Sequence, residues 1–126
     1  MSDSSTEKER AVILFGHGSR DPLWRRPMEA VAARLQAKHP GRDVVCAYLE
    51  LQQPDLAVAT AKLVASGVTA LTIVPMFLGA GKHVREDLPE LVENLRVSYP
   101  EVRFRLQAPV GEDPRVLDLL AAIATE

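Results

Sequence analysis

The sequence has little cysteine and no long apolar run, and each shortage excludes a class of protein. Cys46 is the only cysteine among 126 residues, so no disulfide can form within the chain. No apolar stretch approaches the roughly 20 residues that a membrane-spanning helix needs, and the polar start of the chain lacks the apolar core of a signal peptide. We therefore expect a cytoplasmic protein that is not anchored in a membrane.

An excess of positive charge is also missing. The chain has 15 Lys and Arg residues against 17 Asp and Glu residues, which gives a formal net charge of −2 at pH 7. Because proteins bind nucleic acid through clustered basic residues, we do not expect DNA or RNA as a partner.

Hydrophobic residues, by contrast, are abundant and regularly arranged. They make up 47% of the chain, which is enough for one core, while 126 residues leave no room for a second domain. We expect residues 1–9 to be a disordered tail and residues 10–126 to form a single domain.

Four apolar, strand-like runs alternate with four helical patterns in this domain. Alternation of this kind predicts an α/β fold, a three-layer sandwich with a four-stranded parallel sheet like that of flavodoxin. Residues 11–15, 44–49 and 70–74 are almost entirely apolar, so we expect them to be central strands covered on both faces. Residues 102–106 alternate apolar and Arg side chains, which is typical of a strand at the sheet edge.

The helices have recognisable boundaries. Apolar residues at helical spacing predict a first helix that begins near Arg26, and the second begins at Asp55 and stops at Gly67. Asp113 followed by Pro114 is typical of a helix N-terminus and predicts the last helix.

The third helix is predicted from a capping box. Asp87 and Glu90 have the D-x-x-E spacing of such a box, so we expect His83 to precede the helix. Cys46 lies within an apolar strand run and is expected to be a buried thiol.

Chemistry-bearing residues follow the first three strands. His17 and His83 both lie in glycine-rich turns, and Glu50 closes the second strand. Because ligands bind at the carboxyl ends of the strands in an open parallel sheet, we expect the three side chains to share one rim. Two imidazoles and a carboxylate can hold a divalent transition metal, and they can also accept protons; the sequence leaves both roles open.

Basic residues lie around the two histidine turns and fit either a polyanionic ligand or an ordinary charged surface. They are Arg20, Arg25, Arg26, Lys82 and Arg85. The sequence contains no G-x-S-x-G, G-x-G-x-x-G, Walker A or H-E-x-x-H motif, so hydrolase, nucleotide and zinc-protease functions are not supported.

Taken together, these residues resemble the small, single-domain sirohydrochlorin chelatases of the CbiX type, in the class II chelatase superfamily. The resemblance covers residues 11–124 and depends most on Gly16-His17-Gly18-Ser19-Arg20, on Leu49-Glu50 and on residues 74–89. It implies insertion of a divalent metal, cobalt preferred and iron possible, into sirohydrochlorin with release of two protons, in cobalamin or sirohaem biosynthesis. The metal ion is then a substrate, and no further cofactor is required.

The resemblance also implies roles for single residues. His17 would be a metal ligand and proton acceptor, His83 the second metal ligand, and Glu50 a carboxylate in contact with the substrate. The pocket for the macrocycle would be lined by Leu78, Gly79, Ala80, Gly81, Lys82 and His83. The eight carboxylates of sirohydrochlorin would meet Arg20, Arg25, Arg26 and Arg85.

A domain of this size can form only one wall of a tetrapyrrole site, and longer chelatases have two such halves. We therefore expect a homodimer with a shared cleft. Two other functions stay open: a metallochaperone that binds metal without inserting it, and a flavodoxin-like domain whose glycine-rich turns bind a phosphate or nucleotide.

Overall fold

The computed structural model describes residues 7–126 and confirms the α/β fold. The strands are β1 (Arg10–Gly16), β2 (Asp43–Tyr48), β3 (Ala70–Pro75) and β4 (Arg103–Leu106), and the helices are α1 (Arg26–Lys38), α2 (Leu56–Ala65), α3 (Lys82–Ser98) and α4 (Pro114–Ala124). Short 3-10 turns lie at Glu7–Glu9 and Val110–Glu112.

The start of the chain differs in part from the sequence-based expectation. Residues 1–6 of the expected disordered tail lie outside the described residues. Residues 7–9 form a 3-10 turn instead of a disordered segment, and the Glu9 carbonyl accepts a hydrogen bond from the Thr69 amide. This bond anchors the segment at the start of the sheet.

The sheet is parallel throughout, in the order β2-β1-β3-β4. The expected edge position of β4 is confirmed, but the expected central position of β2 is wrong. The edge of β2 is nevertheless protected, because the Val44 amide donates to the Gln36 side chain at 3.3 Å and the Tyr48 amide donates to the Pro54 carbonyl at 2.9 Å. An apolar edge strand is therefore tolerated without a neighbouring strand.

The two faces of the sheet are covered differently. Ile13, Leu71 and Ile73 belong to the larger core, on which residues of α2 and α3 pack. Leu14 and Tyr48 belong to the smaller core on the other face, with Met28 of α1. These two clusters fix the sheet as a rigid platform for the loops at its carboxyl end.

The helix caps follow the sequence, with one exception. Asp55 accepts a hydrogen bond from the Val58 amide and Asp113 accepts one from the Arg115 amide, as expected for N-caps. The third helix, however, begins at Lys82, five residues before Asp87. The early start is explained by the packing of Val84 against the larger core, which extends the apolar face of the helix by one turn.

The position of β2 also changes the environment of Cys46. The thiol is half-buried instead of buried, because it lies on an edge strand. Among the helices that the structure describes, none is long and apolar enough to cross a bilayer.

Candidate functional site

The candidate site lies at the carboxyl ends of three adjacent strands. His17 follows β1, which is the strand between β2 and β3, and Glu50 lies two residues beyond the end of β2. The loop that leaves β3 leads into α3, where His83 is the second residue. The parallel order of the sheet therefore brings all three residues to one end, as the sequence predicted.

Backbone hydrogen bonds continue past the end of the sheet and hold the first two loops together. The Leu49 amide donates to the Gly16 carbonyl at 2.9 Å, and the Glu50 amide donates to the His17 carbonyl at 3.1 Å. One step further, the Ser19 amide donates to the Gln52 side-chain oxygen at 3.0 Å. His17 and Glu50 are thus fixed relative to each other by their own backbones.

Gly18 makes this close approach possible. Its φ is +104°, in a region that L side chains rarely adopt, and a Cβ at this position would overlap the carbonyl oxygen of Glu50. The loop that follows β2 also contains a residue with a positive φ. Leu51 has a φ of +69°, which is uncommon for a residue with a side chain. The turn after Glu50 is therefore held in a strained conformation.

The side chains of His17 and Glu50 face each other across this junction. The Nε2 of His17 lies 3.7 Å from the Oε2 of Glu50, and both side chains are more than half exposed. This distance is longer than a hydrogen bond, and both groups are open to a ligand. An imidazole beside a carboxylate can bind a cation or accept a proton from a bound molecule.

His83 lies on the first turn of α3 and is exposed to solvent, a correction to its expected position before the helix. Within residues 7–126, no three His, Cys, Asp or Glu side chains form a ready-made metal site. The structure therefore pairs His17 with Glu50 and does not add His83 to a closed three-ligand group.

Two hydrogen bonds hold the loop between β3 and α3. The Gly111 amide donates to the Phe77 carbonyl at 2.9 Å, and Arg85 donates through its guanidinium to the Ala80 carbonyl at 2.9 Å. Leu78, in the same loop, has 68% of its surface exposed. The loop thus offers an apolar side chain at the rim of the site.

The basic residues around the site differ in what they contact. The Nε of Arg25 lies 3.3 Å from the Glu29 carboxylate, and Arg85 is bound to the loop carbonyl. Arg20, Arg26 and Lys82 are exposed. The last three are therefore the residues of this set that are best placed to meet an anionic ligand from solution.

A cavity of about 540 Å³ lies beside β2 and is lined by Cys46 and Tyr48, and also by Arg25 and Gln52. Burial raises the pKa of the Cys46 thiol, and it raises the pKa of Tyr48 to about 12. Both groups are neutral at physiological pH, so neither supplies a base to the site.

Sequence analysis missed three contributors to the site. Gln52 is a long-range partner of Ser19, and no local pattern reveals such a contact. Leu51 and Leu23 add exposed apolar surface to the loops that follow β2 and β1. Of these three residues, only Leu51 could have been predicted from the sequence, because it directly follows the candidate carboxylate of Glu50.

Comparison with known proteins identifies the family to which the whole fold is similar. The CbiX family model matches residues 11–126. The chain is 29% identical to the sirohydrochlorin cobaltochelatase of Methanococcoides burtonii over 91% of its own length and 94% of that protein. It is also 29% identical to the sirohydrochlorin ferrochelatase of Bacillus subtilis, but there it spans only 42% of the relative.

The fold of the chain is similar to those of two solved structures. The chain matches a cobalamin biosynthesis CbiX protein from Marinobacter aquaeolei with a TM-score of 0.80 and 32% identity, over 92% of this chain and 94% of that one. It matches the sirohydrochlorin chelatase SirB from Bacillus subtilis subspecies spizizenii, solved in complex with cobalt, with a TM-score of 0.76 and 26% identity. That match covers 90% of this chain and 49% of SirB.

Proposed function

Because the chain belongs to the CbiX family, we propose that it is a sirohydrochlorin chelatase. The reaction takes sirohydrochlorin and a divalent metal ion to metallosirohydrochlorin and two protons. The observation that carries this proposal is the exposed pairing of His17 with Glu50 at 3.7 Å, at the end of the sheet where His83 also lies. The relative from Methanococcoides burtonii, which this chain matches over 94% of that protein's length, is named a sirohydrochlorin cobaltochelatase, and this name supports the same reaction.

The chemistry of metal insertion fits these residues. Two pyrrole nitrogens must lose their protons before they bind the metal as a dianion, so the protein has to offer bases close to an entering cation. We assign proton acceptance and metal binding to His17, metal binding to His83, and contact with the substrate to Glu50. Their open arrangement lets the metal leave for the macrocycle, and the reaction requires no nucleotide or other cofactor.

The macrocycle would lie against the exposed loop at residues 78–83, where Leu78 offers apolar contact to its plane. The exposed cations Arg20, Arg26 and Lys82 would bind its carboxylates by charge-assisted hydrogen bonds. Cobalt is the preferred metal, with iron as the alternative, and both occur in the names of the relatives. The product would serve cobalamin biosynthesis in the first case and sirohaem biosynthesis in the second.

We further propose that the protein works as a homodimer. This chain corresponds to about half of SirB, whose structure contains enough residues for two such units. With one unit, His17 and Glu50 are more than half exposed and face solvent. A second copy would supply the opposite wall of the cleft.

The test is anaerobic absorbance spectroscopy of sirohydrochlorin with Co²⁺ or Fe²⁺. We expect the wild-type protein to accelerate insertion above the spontaneous rate and the His17→Ala/His83→Ala variant to lose most of this acceleration. His39→Ala is the matched control, because His39 caps the far end of α1, and it should keep full activity. Circular dichroism checks that all three proteins are folded.

Two results would contradict the proposal. One is the absence of acceleration with either metal although the wild-type protein binds that metal, which would favour a metallochaperone. The other is an undiminished rate in the double histidine variant, which would remove these residues from the reaction.

A further inference from the structure

Three successive hydrogen bonds join the loops that follow β1 and β2, and the outermost of them is made by a side chain. The first two link backbone groups and end with the bond from the Glu50 amide to the His17 carbonyl at 3.1 Å. The third runs from the Ser19 amide to the Oε1 of Gln52 at 3.0 Å. Because a backbone amide can only donate, the Gln52 oxygen is the acceptor. Gln52 thus closes the junction that holds His17 beside Glu50.

The backbones no longer pair at the position of this third bond. Gly18 and Leu51 have φ values of +104° and +69°, so both chains leave the extended conformation between the second bond and the third. The side chain of Gln52 reaches Ser19 where its own backbone does not. The second and third bonds therefore enclose both turns in one hydrogen-bonded ring.

The turn at Leu51 depends on this ring. A residue with a side chain stays in a strained backbone conformation only when its surroundings fix it. Leu51 lies between Glu50, whose amide is bonded to the first loop, and Gln52, whose side chain is bonded to the same loop. Loss of the Gln52 bond would let the turn relax, and the Glu50 carboxylate would move with it.

The segment at residues 19–24 also depends on Gln52. Among the described residues, its other hydrogen bonds are local: the Asp21 amide donates to the Ser19 hydroxyl, and the Leu23 amide donates to the Asp21 carboxylate. These bonds shape the segment but do not attach it to another part of the chain. The bond to Gln52 makes that attachment, over 33 positions of sequence.

We propose that Gln52 is a positioning residue for metal insertion. Its side-chain oxygen fixes Ser19, and through this residue it keeps the imidazole of His17 close enough to Glu50 for the two to share a cation. The side chains of His17 and Glu50 are more than half exposed, so their separation of 3.7 Å depends on the backbones that carry them. This inference rests on the proposed function and adds to it a residue that acts through His17.

Three substitutions of Gln52 separate the acceptor oxygen from the rest of the side chain. Gln52→Glu keeps an oxygen at the same reach, Gln52→Asn keeps the amide but is one methylene shorter, and Gln52→Ala removes the group. Because Gln52 lines the cavity beside β2, a shorter side chain enlarges an open space and should leave the fold intact. Gln53→Ala is the matched control, since Gln53 is exposed, lines the same cavity and makes no side-chain hydrogen bond to the described residues.

Cobalt binding is the first measurement, and it needs no macrocycle. In titration calorimetry with Co²⁺ alone, we expect Gln52→Asn and Gln52→Ala to bind about 10-fold more weakly than the wild-type protein, because partners that orient metal ligands have effects of this size. Gln52→Glu and Gln53→Ala should bind at least as tightly as wild type. Unchanged affinity in Gln52→Asn and Gln52→Ala would overturn the proposal, and so would equal affinity of the wild-type protein and His17→Ala.

Insertion kinetics then separate positioning from a merely structural role. We expect kcat to fall about 10-fold in Gln52→Asn and Gln52→Ala while the KM for sirohydrochlorin stays nearly unchanged, and Gln52→Glu should restore kcat. Hydrogen exchange of the Ser19 amide, followed by NMR, should be faster in the first two variants and as slow as wild type in Gln52→Glu. A lower melting temperature with an unchanged kcat would overturn the positioning role.

These outcomes are distinct from failure of the proposed function. A wild-type protein that inserts metal, with full kcat in Gln52→Asn and Gln52→Ala, removes the role of Gln52 and leaves the chelatase. A wild-type protein without insertion activity removes the chelatase, and the cobalt titrations still decide whether Gln52 positions His17.

Discussion

Replacement of Gly18 by alanine tests the geometry of the site most directly. The backbone at Gly18 has a φ of +104°, and an added Cβ would overlap the carbonyl oxygen of Glu50. That oxygen belongs to backbone and cannot rotate away like the end of a flexible side chain. The methyl group therefore has to push the two loops apart, against the hydrogen bond from the Glu50 amide to the His17 carbonyl.

Two costs contribute to the change in stability. An alanine at a φ that suits glycine costs about 1–2 kcal/mol, and overpacking costs typically about 1–3 kcal/mol. We expect the free energy of unfolding to fall by about 3 kcal/mol in total. For a domain of this size the melting temperature should then fall by about 10 °C.

Gly67 provides a matched control. Its φ is +103°, but apart from Gly67 itself and its two chain neighbours no residue has an atom within 4 Å of the position that a Cβ would occupy. Gly67→Ala therefore carries the conformational cost without the overlap, and we expect a loss of about 1 kcal/mol. Urea unfolding of both variants, together with metal insertion assays, separates the two effects.

The insertion rate should respond only at Gly18. Displacement of the Glu50 loop moves its carboxylate away from His17, so Gly18→Ala should slow insertion even under conditions where it is fully folded. Gly67→Ala should retain the wild-type rate. Equal losses of stability in the two variants would refute the close packing of the two loops, and an unchanged rate in Gly18→Ala would refute the need for a fixed pairing of His17 with Glu50.

Three further predictions concern single side chains. Arg26→Ala should weaken binding of sirohydrochlorin, measured as a raised KM with a nearly unchanged kcat, whereas Arg34→Ala on a later turn of α1 should leave both constants unchanged. The pKa of Tyr48 is about 12 in the folded protein, against 10.0 in the unfolded chain. The free energy of unfolding should therefore fall as the pH rises from 10 to 12. Chemical unfolding at several pH values should show a smaller fall in this free energy for Tyr48→Phe. The buried hydroxyl of Thr60 has no hydrogen-bond partner among the described residues, so Thr60→Val should raise the free energy of unfolding by about 1 kcal/mol, and a clear loss in urea unfolding would contradict this account of the hydroxyl.

The sequence by itself determined the elements and their type. Periodic apolar residues, together with caps such as Asp55 and Asp113, act over a few residues, so they can be recognised without knowledge of the fold. The end of the sheet that holds the site was also predictable, because parallel strands with helical connections place residues such as His17 and Glu50 on one side.

Only the tertiary structure decided the position of β2, the start of α3 and the junction within the site. An apolar run is compatible with an edge strand once Gln36 and Pro54 occupy its outward amides, and these partners are distant in sequence or lie across a loop. The early start of α3 follows from the packing of Val84 on the larger core.

The same reason applies to the pairing of His17 with Glu50 and to the turn at Gly111. The first depends on the space left by Gly18 beside a carbonyl that lies 32 positions further along the chain. The second depends on the close approach of Gly111 to the backbone of Leu78, which leaves no room for a Cβ. Local sequence patterns record preferences over a few residues, whereas these features arise from contacts between segments that meet only in the folded chain.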